Sequence, residues 1–200
     1  MRAPKRRQQI LDAALEVFSQ SGFHRATMKE IARAAGLRSP ALIYWYFPNK
    51  SALFRAVLQR LAPMLTHLVE DVSLLDQPPE EALPRFARAY LHTFSRPEAV
   101  RLLRVVVAEA MRSPEANTAL ADSGLLTLIR FLEEYFRRQV ALGRLREHDP
   151  RASARAFYGM LNSYALGRSL FPALAEGLPD PVTYVREVVA ILLDGLRRTR

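Results

Sequence analysis

The stretch from Arg38 to Lys50, RSPALIYWYFPNK, concentrates side chains that suit contact with duplex DNA. It holds two cations, the hydroxyl of Ser39 and four consecutive aromatic rings at positions 44–47, of which Tyr44, Trp45 and Tyr46 precede Phe47. Cations and hydroxyls bind phosphate oxygens, and side chains on a short helix can reach base edges in the major groove. Four rings in a row cannot all enter one core, so some of them face solvent or a partner. Duplex DNA is the simplest partner that accounts for them.

Residues that could catalyse a reaction or hold a metal are scattered along the chain. There is no cysteine, and the four histidines, at positions 24, 67, 92 and 148, share no metal-ligand spacing. The adjacent acids Glu133 and Glu134 lack the histidine spacing of a di-iron site. The sequence therefore predicts no enzyme activity, no metal and no cofactor. Two alternatives remain: an all-helical enzyme or lipid carrier without DNA binding, and a helical adaptor that binds only protein.

Two short helices joined by a tight turn are predicted to position the segment. Thr27 and Glu30 have the spacing of a capping box, so the first helix begins there. Gly36 supplies a left-handed residue that closes it, and Ser39-Pro40 starts the second helix. Apolar positions recur at helical spacing, namely Met28, Ile31, Ala32 and Ala35 in the first helix and Leu42, Ile43 and Phe47 in the second. The pattern predicts a helix–turn–helix, which places its second helix in the major groove.

The positive charge is concentrated in the part of the chain that carries this motif. Residues 1–60 hold 11 Lys and Arg against 3 Asp and Glu, whereas residues 61–200 hold 18 against 17. Nearly all of the formal net charge of +9 therefore lies in the first 60 residues. A general abundance of arginine would not leave the rest of the chain balanced. A basic module beside a nearly neutral one is typical of phosphate binding.

The residues around the motif resemble the TetR/AcrR family of transcriptional regulators. The resemblance is carried by Gly36-Leu37, by the run IYWYF at 43–47 and by Asn49-Lys50, which match the family signature LYxYFxxK. The preceding segment, from RRQQIL at 6–11 to Thr27, is similar to the family's opening helix and turn. The resemblance covers residues 5–60 and is specific, because several motif residues fall in order.

The resemblance implies a DNA-binding second helix and a phosphate contact at Lys50. The expected phosphate contacts are Thr27, Tyr44, Tyr46 and Lys50, and the residues expected to approach bases are Arg38, Ser39, Ala41 and Trp45. The stretch between Gly36 and Ile43 is one residue longer than the commonest family pattern. This leaves open which of Arg38, Ser39 and Ala41 face the bases. For Thr27, helix capping alone is an equally good explanation.

The rest of the chain predicts an all-α fold of about nine helices. Cap-then-proline starts recur at Ser113-Pro114, Asp149-Pro150 and Asp180-Pro181. A helix from Lys50 to Val72, kinked at Pro63, would link a DNA-binding domain at residues 1–50 to a ligand-binding and dimerisation domain at residues 51–200. Residues 1–7 resemble a loose basic arm, and a further helix is expected from Pro84 to Ser95. No apolar run approaches a membrane span, and without cysteine the chain is expected in the cytoplasm.

Two helices near the C-terminus are predicted to pair with a second copy of the chain. Small residues recur at three- and four-residue steps after Asp149, and the last helix is apolar over most of its circumference. Symmetric packing would bury such a helix, and an ordinary intrachain core is the alternative. The resemblance adds that family members dimerise through their last two helices. The predicted interface residues are Ala156, Gly159, Ser163, Gly167, Val185, Val189, Leu192 and Leu196.

The resemblance also implies a small-molecule effector pocket among the middle helices. The candidate lining residues are His67, Phe86, Tyr90, Phe94, Arg104, Phe131, Tyr135, Phe157, Asn162 and Tyr164. Plain core packing is the alternative for the rings, and exposure to water is the alternative for the arginine. Arg104 lies in a mostly apolar helix, where it would meet an acidic ligand or Glu109. The expected effector is therefore a large apolar or amphipathic molecule with an anionic end, which releases a homodimeric repressor from a palindromic operator.

Overall fold

Helices supply the regular structure of the computed structural model, which describes residues 3–61, 67, 69–110 and 126–197. They are α1 (Ala3–Arg25), α2 (Met28–Ala34), α3 (Ala41–Tyr44), α4 (Lys50–Leu61), a 3-10 helix (Val72–Asp76), α5 (Pro79–Ser95), α6 (Pro97–Ala110), α7 (Leu126–Ala141), α8 (Pro150–Ser169), α9 (Pro172–Ala175) and α10 (Pro181–Leu196). The predicted all-α fold is confirmed. Within the described ranges, none of these helices is both long and apolar enough to cross a membrane.

The helices divide between two compact units. The first draws on residues 1–62 and 97–125 and contains α1–α4 and α6. The second draws on residues 63–96 and 126–200 and contains the 3-10 helix, α5 and α7–α10. Helix α6 packs on α1, and its Val105 joins the core of the first unit. By its packing, α4 therefore belongs with the helix–turn–helix, whereas the sequence-based domain boundary lies at residue 50.

Aromatic rings of α1 and α4 form the centre of the first unit. The Phe54 ring centroid lies 5.0 Å from that of Phe18, edge-on, and 4.9 Å from that of Phe23, tilted. The Phe18 and Phe23 centroids are 5.9 Å apart. Such pairs contribute about 0.5–1.5 kcal/mol each beyond their buried area. Ile31 of α2 and Ile43 of α3 are completely buried in the same core. Each of the two short helices of the motif is therefore anchored in this core by one isoleucine.

Helix α1 begins earlier than the sequence indicates. It starts at Ala3, so the expectation of a loose basic arm is wrong for the described part of residues 1–7. Arg7 is helical, and its guanidinium carbon lies 5.2 Å from the centroid of the Phe47 ring. This is cation–π geometry, and it places a positive charge beside the end of the motif. The arm is thus a continuation of the helix that supports the DNA-binding segment.

Helix α5 also begins earlier than expected, at Pro79 instead of Pro84. A proline in the first helical turn needs no hydrogen-bond donor, and the acidic pair at 80–81 favours the positive end of the helix dipole. The cap-then-proline starts of α8 and α10 are confirmed, because the carboxylates of Asp149 and Asp180 accept hydrogen bonds from the backbone N–H groups at 151 and 182–183. The expected kink at Pro63 and helix start at Ser113-Pro114 lie outside the described residues.

The 3-10 helix, which the sequence pattern does not reveal, is held in place by side chains in and just after α7. Tyr135 donates to the Gln77 carbonyl at 3.0 Å, and the buried Gln139 side chain donates to the Leu75 carbonyl at 2.7 Å. The Arg144 guanidinium donates to the carbonyl between these two, that of residue 76, at 2.7 Å. The short helix α9 was missed as well. Both elements are shorter than the windows in which periodicity can be recognised.

Candidate functional site

Helix α2 begins at a complete capping box. The Thr27 hydroxyl accepts a hydrogen bond from the Glu30 N–H at 3.2 Å and donates to the Glu30 carboxylate at 2.8 Å. The same carboxylate accepts from the Thr27 N–H at 2.9 Å. The hydrogen bonds from the Thr27 side chain and backbone hold the pKa of Glu30 below its usual range. The predicted box is confirmed, and it occupies the hydroxyl and amide that were also expected to face a phosphate.

We expect the first turn of α2 to loosen in acid. Because folding lowers the pKa of Glu30, the stabilisation from its carboxylate is present above the unfolded-state pKa and is lost as the pH falls through the folded value. The protection factor of the Glu30 amide, measured by hydrogen exchange, should fall over that range. Glu30→Gln keeps a capping side chain without the titrating charge. An equally steep loss of protection in this variant would contradict the assignment.

The turn between α2 and α3 depends on one glycine. Gly36 has φ +62°, in the left-handed region that glycine enters without strain. Its N–H donates to the Arg33 carbonyl at 3.0 Å, and the Leu37 N–H donates to the Ala32 carbonyl at 2.8 Å. The helix therefore closes as the sequence predicts. The chain reverses there and buries Leu37 in the core.

Helix α3 is shorter than expected from a start at Ser39-Pro40 and an apolar face that continues to Phe47. It covers four residues, Ala41–Tyr44, and follows a turn in which the Ser39 hydroxyl accepts from the Ala41 N–H at 3.2 Å. The N–H groups of Tyr46 and Phe47 both donate to the Ile43 carbonyl at 2.9 Å, which extends the compact turn beyond the helix. Ile43 is completely buried, and this one anchor allows the neighbouring side chains to point outward.

The outward side of α3 is unusually apolar and aromatic. Trp45 is 87% exposed, Tyr44 50% and Leu42 44%. The exposure of Leu42 corrects the expectation that it is buried, since α3 is too short to turn it toward the core. Arg38 and Ala41 are exposed beside these side chains, whereas Ser39 is half-buried. Tyr46 is half-buried and packs on the core, so only its outer part can reach a phosphate.

Lys50 has bonding partners within the chain. Its ammonium donates to the carbonyls of His24 and Ala26 at 3.0 Å each, and Nζ lies 4.7 Å from the centroid of the Phe23 ring. These contacts tie the start of α4 to the turn between α1 and α2. The resemblance predicts that Lys50 contacts an outside anion, and nothing in its local sequence signals these internal acceptors. The phosphate role stays a prediction.

Six of the ten candidate effector residues lie in the second unit and form two groups of contacts on α5, α7 and α8. We call them the ring cluster: Phe86, Tyr90, Phe94, Phe131, Phe157 and Asn162. The Phe86 centroid lies 6.3 Å from that of Phe131 and 6.1 Å from that of Phe157. The Tyr90 ring lies 4.8 Å from that of Phe94, and its hydroxyl donates to the Asn162 side-chain oxygen at 3.0 Å. The cluster combines apolar rings with one buried hydroxyl–amide pair.

The sequence analysis missed Tyr158, which joins this cluster. Its ring lies 5.7 Å from that of Tyr90, edge-on. Burial raises the pKa of both tyrosines, so both hydroxyls carry their protons and no charge near neutral pH. The available signal was the four-residue spacing from Tyr158 to Asn162 on α8, which places the two side chains on one helix face. The polar part of the cluster is therefore uncharged.

Two of the remaining candidates are buried tyrosines with structural partners. Tyr135 binds the Gln77 carbonyl beside the 3-10 helix. Tyr164 donates to the Pro179 carbonyl at 2.8 Å, and its ring stacks on that of Tyr184 at 4.1 Å. These hydroxyls already hold backbone carbonyls. For Tyr135 and Tyr164, the core-packing alternative describes the structure.

The two charged candidates, His67 and Arg104, are exposed. The His67 ring lies 3.8 Å from the Glu70 carboxylate, and both side chains are open to solvent. Arg104 is exposed on α6, which belongs to the first unit, whereas the ring cluster belongs to the second. The role of Arg104 as a cation for the effector stays a prediction. Helical periodicity could not show which unit α6 would join.

The candidate dimer residues divide into buried and exposed sets. Gly167, Val185, Val189 and Leu196 are buried within the single chain, and Leu192 is half-buried. Helix α10 packs partly against α5 of the same chain, and a role of these residues in a dimer stays a prediction. Ala156, Gly159 and Ser163 remain exposed along α8, and Ile191 of α10 is 66% exposed. A Cβ atom added at Gly159 or Gly195 would meet no atom within 4 Å.

Comparison with known proteins connects this geometry to a family. The family model for bacterial regulatory proteins of the tetR family matches residues 10–57, which contain the helix–turn–helix. The model for the C-terminal domain of AefR-like transcriptional repressors matches residues 81–195, more than half of the chain. The two matches together span both compact units.

Individual relatives agree with these matches. The HTH-type transcriptional regulator UidR of Escherichia coli K12 is 29% identical over 135 residues, which are 66% of this chain and 64% of UidR. The chain thus aligns with less than two thirds of the length of this relative. NalD, the secondary repressor of the MexAB-OprM efflux pump of Pseudomonas aeruginosa, is 26% identical with a TM-score of 0.72 over 100% of both chains. The flavonoid-responsive regulator FrrA is 27% identical with a TM-score of 0.71 over 99% of this chain and 100% of FrrA. The chain belongs to the TetR family of bacterial regulatory proteins.

Proposed function

We propose that the chain is a homodimeric repressor that binds a palindromic operator and releases it when a small molecule binds the second unit. The observation that supports this most strongly is the outward side of α3, where Trp45 is 87% exposed in the basic unit. A large ring exposed to water contributes nothing to the fold, and a DNA groove would cover it. The chain would act in the cytoplasm, where bacterial DNA is accessible.

In this interface α3 would enter the major groove. Arg38, Ser39, Ala41 and Trp45 would approach bases, and the hydroxyls of Tyr44 and Tyr46 would hold phosphates. The exposed Leu42 adds an apolar group that can contact a thymine methyl. Thr27 would reach a phosphate through its amide or hydroxyl only by sharing them with Glu30. Lys50 would contact a phosphate only by sharing its ammonium with the two carbonyls that it already binds.

The dimer would form through the exposed faces of α8 and α10. The two helices already pack together, since the Tyr184 hydroxyl donates to the Met160 carbonyl at 2.7 Å. Ala156, Gly159 and Ser163 give α8 a surface with little side chain, and a partner helix can approach such a surface closely. Two recognition helices held about 34–36 Å apart would then match half-sites one DNA turn apart.

The effector would be an uncharged aromatic molecule with a polar group. Rings, an amide and uncharged hydroxyls form the described contacts of the ring cluster. Phe94, Phe131 and Asn162 are only partly buried, so a ligand can reach the cluster from their side. Among similar proteins, FrrA is a flavonoid-responsive regulator. Ligand would lower DNA affinity by its differential binding to the two states.

Tyr90→Phe is expected to weaken the response to an uncharged flavonoid aglycone about tenfold, because the hydroxyl that pairs with Asn162 is lost. The measurement is the flavonoid concentration that releases the chain from DNA. Tyr135→Phe is the matched control, since it removes an equally buried hydroxyl that binds Gln77 instead. An equal change in both variants, or release by a fatty acid and not by the flavonoid, would contradict the proposed effector class.

Selection from random duplex DNA tests the proposed function as a whole. The full chain should enrich a palindrome with half-sites one turn apart, and its affinity should fall steeply with salt. Enrichment of an asymmetric single site would contradict the dimeric reading. The absence of salt-sensitive binding to any duplex would overturn the proposal.

A further inference from the structure

The Lys50 ammonium lies where the chain leaves α1 and enters α2. It donates to the His24 carbonyl, at the end of α1, and to the Ala26 carbonyl, one residue before the Thr27 cap. Carbonyls at a helix C-terminus lack intrahelical donors and carry the negative end of the helix dipole. A lysine ammonium therefore supplies both the donors and the charge that this turn needs. The Phe23 ring, 4.7 Å from Nζ, closes another side of the ammonium.

A second side chain holds the opposite end of α2. The Gln9 amide nitrogen of α1 donates to the Ala35 carbonyl at 2.7 Å, at the C-cap of α2. The Gln9 amide oxygen accepts from the Arg6 guanidinium at 3.2 Å, which orients the amide. Ala35 directly precedes Gly36, the glycine of the turn into α3. Both ends of α2 are thus bound by side chains that lie outside the two-helix motif.

These hydrogen bonds define the orientation of the motif. Helix α2 has seven residues and buries only Ile31 and Ala32, so apolar packing alone leaves its tilt weakly determined. A helix this short is also not stable by itself in water. Bonds at Ala26 and Ala35 fix the two ends, and the position of α3 follows from the second end through the turn at Gly36.

We propose that Lys50 serves DNA binding as a positioning residue and not as a phosphate ligand. Together with Gln9 it fixes α2 and, through it, the angle at which α3 is presented to the groove. At least two of the three ammonium hydrogens are committed to carbonyls. A phosphate contact would have to compete with those acceptors. The inference rests on the proposed DNA interface and assigns a different role within it.

The two roles give different results for Lys50→Met, which keeps most of the apolar stem and removes the ammonium. A phosphate ligand weakens binding to all sequences alike and lowers the slope of log affinity against log salt by about one. A positioning residue leaves that slope nearly unchanged. It weakens binding to the selected operator by about tenfold more than binding to a mixed-sequence duplex, because only base contacts need the exact angle.

Gln9→Met is the second variant, because it removes a hydrogen bond at the other end of α2 and changes no charge. We expect it to reproduce the loss of operator preference at an unchanged salt slope. Lys29→Met is the control for the loss of a positive charge, since it removes an exposed lysine from α2. It should leave the amide protection of residues 26–30 intact, whereas Lys50→Met should lower it. All binding is measured on full-length chains well below their unfolding temperatures.

The outcomes separate this inference from the proposed function. Failure of the unmodified chain to bind any duplex would overturn the proposed function itself. Normal binding by that chain, with a salt slope reduced by one unit in Lys50→Met and unchanged operator preference, would overturn the positioning role alone. Equal operator preference in Gln9→Met and the unmodified chain would also count against it. Lost preference at constant slope in both variants would support it.

Discussion

Replacing Trp45 with alanine is expected to weaken operator binding by roughly 10- to 100-fold, the range for loss of one good base contact. The side chain is 87% exposed, so its removal opens no cavity and should leave the thermal midpoint unchanged. Tryptophan is also the residue type most often found to dominate binding energy at interfaces. The salt slope should stay constant, because the change removes no charge.

A mixed-sequence duplex shows whether Trp45 contacts the bases or the DNA backbone. Because the ring is proposed to approach bases, the loss should be large on the selected operator and small on the mixed sequence. Val72→Ala is the matched control, since it trims an apolar side chain that is 70% exposed and lies outside the first unit. Equal losses on both duplexes would place Trp45 at the backbone. Unchanged operator affinity would remove it from the interface.

The helix–turn–helix could be predicted closely because its signals are local. The Thr27–Glu30 box and the positive φ of Gly36 each depend on a few neighbouring residues, and both are confirmed. The proline starts of α8 and α10 belong to the same class. Local capping chemistry does not depend on what the rest of the chain packs against. For this reason the predicted start and end of α2 and the predicted starts of α8 and α10 agree with the structure.

The features that could not be predicted depend mostly on contacts between residues far apart in sequence. Lys50 meets carbonyls 24 and 26 residues away, and no periodicity reports this. Arg104 joins the first unit because α6 packs on α1. The apolar circumference of α10 indicated burial correctly but could not distinguish α5 of the same chain from a second copy. Leu42 is exposed because α3 ends after four residues.

Because some candidate dimer residues are buried within one chain and others are exposed, the dimer must be tested at an exposed one. Charge at Val189 would disrupt the core of a single chain, because that side chain is only 6% exposed. Its effect could not be assigned to the dimer. Gly159 avoids the difficulty, since a Cβ there meets no atom within 4 Å of the same chain. A side chain added at this exposed position therefore starts in open space, on the face where a partner helix is proposed to pack. Glycine in the interior of a helix costs about 0.5–1 kcal/mol relative to alanine, so replacing Gly159 also stabilises the helix itself.

Gly159→Leu is therefore expected to give a folded monomer that binds the palindromic operator at least about 100-fold more weakly, since the linkage of two half-site contacts is lost. Sedimentation velocity and duplex titration measure the two effects, and circular dichroism confirms the fold. Ala141→Leu adds comparable apolar bulk at an exposed position of α7 and should change neither measurement. A Gly159→Leu chain that remains dimeric with undiminished operator affinity would exclude the exposed face of α8 from the interface. The buried residues of α10 would then offer no alternative, because one chain already covers them.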